Sequence, residues 1–160
     1  MAKYLILGII AALPYLALAL PEDRERPIDI SADSAVLNEK ENRAEYFGNV
    51  ILTQGTFELK GEKVQLITNA DGEVKSLISK GDPAKFKNLG SGTDLEPIRG
   101  TGKQITYNYN NDTIHISGDA LIETVDSRFS GPEITYNLIS GKVTASGDKQ
   151  KRVNMTMQLK

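Results

Sequence analysis

Gly102-Lys-Gln-Ile-Thr-Tyr-Asn108 returns further along the chain as Gly131-Pro-Glu-Ile-Thr-Tyr-Asn137. Each copy is followed at equal distance by a second glycine step, Gly118-Asp119 and Gly147-Asp148. Looser copies open at Gly61, with Val64 and Leu66 in the apolar slots, and at Ala32, with Ala35 and Leu37. The starts at positions 32, 61, 102 and 131 therefore make two equal steps on either side of a longer one. The excess has a visible home. Gly61 to Gly81 is wider than Gly102 to Gly118 or Gly131 to Gly147, and Gly81 to Gly102 is wider than Gly118 to Gly131. A regular period of this size marks stacked copies of one supersecondary unit, none able to bury its apolar face alone. The expectation is an elongated fold of four roughly 29-residue repeats, with ends that matter.

Within the copies, apolar residues fall at every second position. Ile105, Tyr107 and Tyr109 alternate with Thr106 and Asn108; Ile134, Tyr136 and Leu138 repeat the pattern; Val50 and Leu52 are followed, beyond Gly55, by Phe57 and Leu59. This is the signature of half-buried antiparallel strands, so the fold class is all-β, with two sheets facing each other. Asp71-Gly72 predicts a two-residue hairpin turn, and Asn110 to Asp112 and Ile139 to Gly141 occupy the equivalent places. Ser34 to Glu45 reads as two strands around Asn38–Asn42, and no helix is expected after residue 27. Most of the insertion falls in a loop over Asn88–Arg99, long enough to be functional or mobile.

Residues 1–19 read as a signal peptide. Lys3 precedes an apolar run broken by Pro14, and Ala17-Leu18-Ala19 supplies the small-x-small cleavage pattern. Cleavage after Ala19 leaves a charged leader over 20–27, expected to be loose, and one domain over 28–160, exported to the periplasm. The alternative is an uncleaved anchor, for which the run from Tyr4 to Leu20 is barely long enough to span. Lys and Arg number 19 against 21 acidic residues in the 160-residue chain, a balance that points away from nucleic acid. The absence of cysteine excludes a disulfide scaffold, thiol catalysis and thiolate metal sites.

No constellation for catalysis emerges. His115 is the single histidine and stands between Ile114 and Ile116 on a strand, a solvent-facing position. No Gly-x-Ser-x-Gly turn, phosphate loop or dinucleotide fingerprint occurs. Asn69 to Glu73 lacks the later bidentate Glu of a calcium loop, since Ile78 stands there. The expected protein is a binding scaffold with no catalytic residue, cofactor or metal. A carbohydrate-active β-sandwich or β-helix enzyme is the rival class; it requires a carboxylate pair on one groove wall. The apolar stripes either form a dry core or, if the sheets splay, line a groove that accepts acyl chains, each buried methylene contributing roughly 0.8 kcal/mol.

Pro27-Ile-Asp-Ile-Ser-Ala-Asp33, Phe47-Gly-Asn-Val-Ile-Leu-Thr-Gln-Gly-Thr56, Gly118-Asp-Ala120, Gly131-Pro-Glu-Ile-Thr-Tyr136 and Lys151-Arg-Val-Asn-Met-Thr-Met157 occur in this order. Together they resemble the OstA-like family of periplasmic lipopolysaccharide-transport proteins. The resemblance covers roughly residues 27 to 157. It implies a β-jelly roll opened as a V, with lipid A acyl chains held between the sheets. It also implies lipopolysaccharide as ligand, an inner-membrane LptC-type protein and an outer-membrane LptD-type protein as partners, and a bridging role between them. The LptC-type anchored module is the alternative within the family.

Strand parity points Ile28, Ile30, Val50, Leu52, Phe57, Leu59, Phe86, Ile105, Tyr107, Tyr109, Ile122, Ile134, Tyr136 and Leu138 inward, as the lipid groove. Ile28, Phe86, Tyr107 and Tyr109 are placed nearest its mouth. Lys85, Lys87 and Arg99 flank the inserted loop and are candidates for lipid phosphates. Val153, Met155 and Met157 alternate with polar residues on an amphipathic last strand, and Ile28 and Ile30 lie on the first. Such unpaired edges predict head-to-tail self-association.

Overall fold

The computed structural model describes residues 23–89 and 96–158; the expected signal peptide lies outside the described residues. Ten strands form one antiparallel sheet: β1 Asp29–Ser31, β2 Ser34–Asn38, β3 Arg43–Gln54, β4 Phe57–Thr68, β5 Val74–Leu89, β6 Pro97–Asn108, β7 Thr113–Glu123, β8 Ser127–Asn137, β9 Val143–Ser146 and β10 Asn154–Met157. From β3 to β8 every strand pairs with its neighbour in chain order. At one end β1 and β2 both pair with β3, along different stretches of it; at the other β9 and β10 share β8 in the same way. The sheet is not closed.

The two facing sheets expected from parity are two halves of this single sheet. Pairing slips between Phe47 and Val50 on β3, Lys60 and Lys63 on β4, Lys80 and Ala84 on β5, Thr101 and Gln104 on β6, and Ser117 and Ala120 on β7. These slips lie side by side, and β3, β5 and β7 carry the surplus residues. A bulge bends its strand and increases the local twist. A line of them is a crease that turns one half of the sheet over the other. Gly48-Asn49 and Gly118-Asp119 adopt the positive φ that such bulges use, 76°, 46°, 75° and 56°. The glycines that mark the period, 48, 61, 81, 102, 118 and 131, all fall on or beside this crease. A Cβ at Gly102 would collide with the Ile116 side chain and come to 3.1 Å from the Ser117 carbonyl oxygen.

The rim turns differ in detail from expectation. Asp71-Gly72 is not the centre of a two-residue turn: the Asn69 N–H donates to the Glu73 carbonyl, and Gly72 takes φ 85° in a three-residue loop. The Asn69 side chain accepts from the Asp71 and Glu73 N–H groups and satisfies the turn. The inserted loop is shorter than Asn88–Arg99, because Asn88 and Leu89 pair with Ile98 and Pro97 and extend both strands.

Candidate functional site

The interior between the halves is built by alternation. From the half that carries β1 and β10 come Val50, Leu52, Phe57, Leu59, Phe86 and Ile122; from the facing half come Ile105, Tyr107, Tyr109, Ile134 and Tyr136. All are buried in one cluster, against which Ile28, Ile30 and Leu138 pack partly buried. Parity thus oriented every one of the fourteen residues expected to face inward. It left out Val64, Leu77, Ala84, Ile98, Ile114, Ile116 and Ala120, which belong to the same cluster. Ile114 and Ile116 were legible from the polar His115 between them, whose Nδ1 lies 3.1 Å from the Thr135 hydroxyl on the outer face.

Polar groups also face inward, chiefly toward the mouth of the fold. Gln54, Ser79, Asn88 and Asp112 are buried, as parity implies once the crease is known. Ser79, at the crease, donates its hydroxyl to the Lys60 carbonyl at 3.0 Å. At the mouth the Tyr109 hydroxyl donates to Gln54 Oε1 at 2.7 Å, joining the rims of the two halves. An aromatic row leads inward beneath this bond: Tyr109 to Tyr107 4.4 Å, Tyr107 to Phe57 5.1 Å, Phe57 to Phe86 6.5 Å between centroids. The Phe57–Tyr107 step crosses from one half to the other. Burial pushes the Tyr107 hydroxyl up to about 12; Arg24 pulls the other way and Asp112 adds to the rise. Burial, then Tyr107, raises Tyr109 further. Both are neutral phenols at neutral pH, apolar in body and hydrogen-bonding at the tip.

Of the leader expected to be loose, the described part from Asp23 onward is held in place across this mouth. Asp23–Glu25 forms a 3-10 turn. Asp23 accepts from the Thr56 N–H at 2.9 Å and from its hydroxyl. Arg24 lies 3.0 Å from Asp112 Oδ1, donates to the Tyr109 carbonyl and stacks 5.1 Å above the Tyr109 ring. Charge in the leader signalled solvent; it did not signal that two of its charges had partners on the rims.

One other set sits elsewhere than expected. Lys85 and Lys87 alternate with the buried Ala84, Phe86 and Asn88, so both are exposed on the outer face, as is Arg99. Lys87 pairs in register with Glu58 and Arg99, and Arg99 with Glu123. They join an outer row of mixed charge and do not line the mouth. The last strand is amphipathic in sequence but not in burial: every residue of β10 is exposed. Met155 stands opposite Phe129 and shares its inner face, yet is 52% exposed. At the far end Leu37, opposite the buried Ala44, shares the inner face and is 69% exposed. Among the described residues, nothing covers Leu37 at one end of the interior or Met155 at the other. Leu37, on β2, is a further edge residue beside Ile30 on β1, and Ile28, expected on the first strand, lies just before it.

A family model described as LptA/(LptD N-terminal domain) LPS transport protein matches residues 29–142. The chain belongs to this LptA/LptD N-terminal domain family. Among relatives of the family, the lipopolysaccharide export system protein LptH of Pseudomonas aeruginosa is 33% identical over 164 residues, 98% of this chain and 93% of its own. The lipopolysaccharide export system protein LptA of Escherichia coli K12 is 33% identical over 160 residues, 96% of this chain and 85% of its own. The crystal structure of LptH, described as the LptA homologous periplasmic component of the lipopolysaccharide transport device of Pseudomonas aeruginosa, superposes with a TM-score of 0.80 at 28% identity. It covers 87% of this chain and the whole of that one. Family and open all-β fold agree with the resemblance carried by the residues, and the relatives are named for export and not for an enzymatic reaction.

Proposed function

We propose that this protein binds lipopolysaccharide by the acyl chains of lipid A between the two halves of its sheet. It hands the lipid across the periplasm as a bridge between an inner-membrane LptC-type protein and an outer-membrane LptD-type protein. The observation that carries the reading is the continuity of the apolar inner face. It runs strand by strand from Leu37 and Ile30 to Met155 and Met157, and among the described residues Leu37, Met155 and Met157 at its ends stand exposed. An ordinary core would be covered at its ends. An uncovered one lets a second copy, or a partner with the same module, extend both the sheet and the apolar track. Acyl chains suit such a track because their transfer scales with the number of methylenes buried, roughly 0.8 kcal/mol each. The names of the relatives point to the same ligand. Lys85, Lys87 and Arg99 gain no support as phosphate ligands from their outward positions.

A photo-crosslinking residue at buried Tyr107 should capture lipopolysaccharide in cells, and one at neighbouring Thr106, on the outer face, should not. Equal capture at the two positions would refute an interior site.

A further inference from the structure

We propose that Asp23–Arg26 is a strap fastening the two rims of the mouth, and that an acyl chain entering sideways does so only when the strap lifts. The second half of this statement rests on the lipid-binding reading above; the first does not. Asp23 holds the β3–β4 rim through Thr56, and Arg24 holds the β6–β7 rim through Asp112 and Tyr109. Between them Gln54 donates to the Arg24 and Arg26 carbonyls at 3.1 and 2.9 Å. Two consecutive side chains thus grip opposite halves, and the backbone joining them is pinned to the gap.

The strap is built to release. Apart from Arg24 over the Tyr109 ring, these contacts are polar, and Arg24, Glu25, Arg26 and Pro27 are exposed. Lifting the strap uncovers polar groups of Gln54, Thr56, Asp112 and the Tyr109 carbonyl, each of which water can satisfy. Rupture elsewhere in the interior would expose buried aliphatic surface. The mouth is therefore the place where the two halves part most readily. Directly beneath it lies the Tyr109–Tyr107–Phe57 row, the inward path between the halves. What remains across the rims when the strap lifts is, among the described residues, the Tyr109–Gln54 hydrogen bond.

Because the chain contains no cysteine, Asn110→Cys on one rim and Val125→Cys on the other accept spin labels uniquely; both positions are exposed. Pulsed electron-spin distance measurements on the full mature chain should give a longer and broader distribution for Arg24→Ala than for wild type. Arg128→Ala, which breaks an exposed outer pair with Glu123, should leave it unchanged. Independently, hydrogen exchange at the Thr56 amide should quicken at least tenfold in Asp23→Ala. An unchanged distance distribution together with unchanged Thr56 exchange overturns the strap. With purified lipopolysaccharide as probe, capture by a crosslinker at Tyr107 should be faster in Arg24→Ala. Open rims with capture in neither protein support the strap and overturn the lipid reading; equal capture rates with unmoved rims do the reverse.

Discussion

Gly102→Ala tests whether the crease is held by shape or only by backbone freedom. The added methyl meets the Ile116 γ-methyl far inside van der Waals contact and sits 3.1 Å from the Ser117 carbonyl oxygen. Ile116 is fully buried on central strand β7, so it has little room to yield, and overpacking of this kind costs about 1–3 kcal/mol. Ile116→Ala alone removes the offending methyl with two further carbons and leaves a cavity, at about 2–5 kcal/mol. In the double variant the new methyl enters the space that Ile116 vacated. The combined loss should then fall short of the sum of the single losses by about 1–2 kcal/mol, the coupling expected of residues in contact. Urea unfolding followed by circular dichroism, with slopes compared among the four proteins, measures each term. Additivity to within about 0.5 kcal/mol would refute the packing account, since that is the behaviour of independent sites.

Gly72→Ala is the complementary case: its φ is 85° and a Cβ there meets nothing within 4 Å. It should lose about 1–2 kcal/mol from the left-handed conformation alone, and no neighbouring truncation should restore it. Tyr107, raised to about 12, stays neutral in the folded state while the unfolded chain ionises near 10. Its contribution is complete below pH 10 and is lost between about pH 10 and 12. Melting temperatures across that window should fall less steeply in Tyr107→Phe, and an identical fall would contradict the assignment. Sedimentation should show concentration-dependent end-to-end association of the whole chain, and deleting 154–160 should abolish it while leaving the circular dichroism spectrum in place. Oligomers persisting in the truncated chain would move the interface away from β10.

Alternation made the strands legible, because a period of two survives in Ile105, Tyr107 and Ile134, Tyr136 whatever the sheet does beyond them. The crease was legible only as punctuation. Glycines at regular intervals look alike whether they end a strand or bend it, and the distinction is made by partners lying across the sheet. The crease itself reverses the parity of β5, as it does that of β4, β6 and β8, and the two surplus residues near Gly81–Pro83 leave that reversal in place, so Leu77 and Ser79 face inward alongside Ala84 and Phe86. Nearness to the inserted loop suggests a mouth position for Lys85 and Lys87, but the parity of Phe86 between them decides the matter and turns both outward. The hold on Asp23 and Arg24 left no local trace, since Thr56 and Asp112 lie 33 and 88 residues away.

Those separations carry a consequence for the order in which the molecule assembles. From β3 to β8 each strand pairs with the next in sequence, so loop closure is short at every one of those steps and the structure can zip outward from any hairpin among them. The contacts between the two halves are different: Arg24 reaches Asp112, Tyr109 meets Gln54 across 55 residues, and Phe57 packs on Tyr107. Contacts of that span become favourable only after the intervening strands have brought their ends together. The leader therefore docks last during folding, and its side chains register in the unfolding rate and hardly in the folding rate.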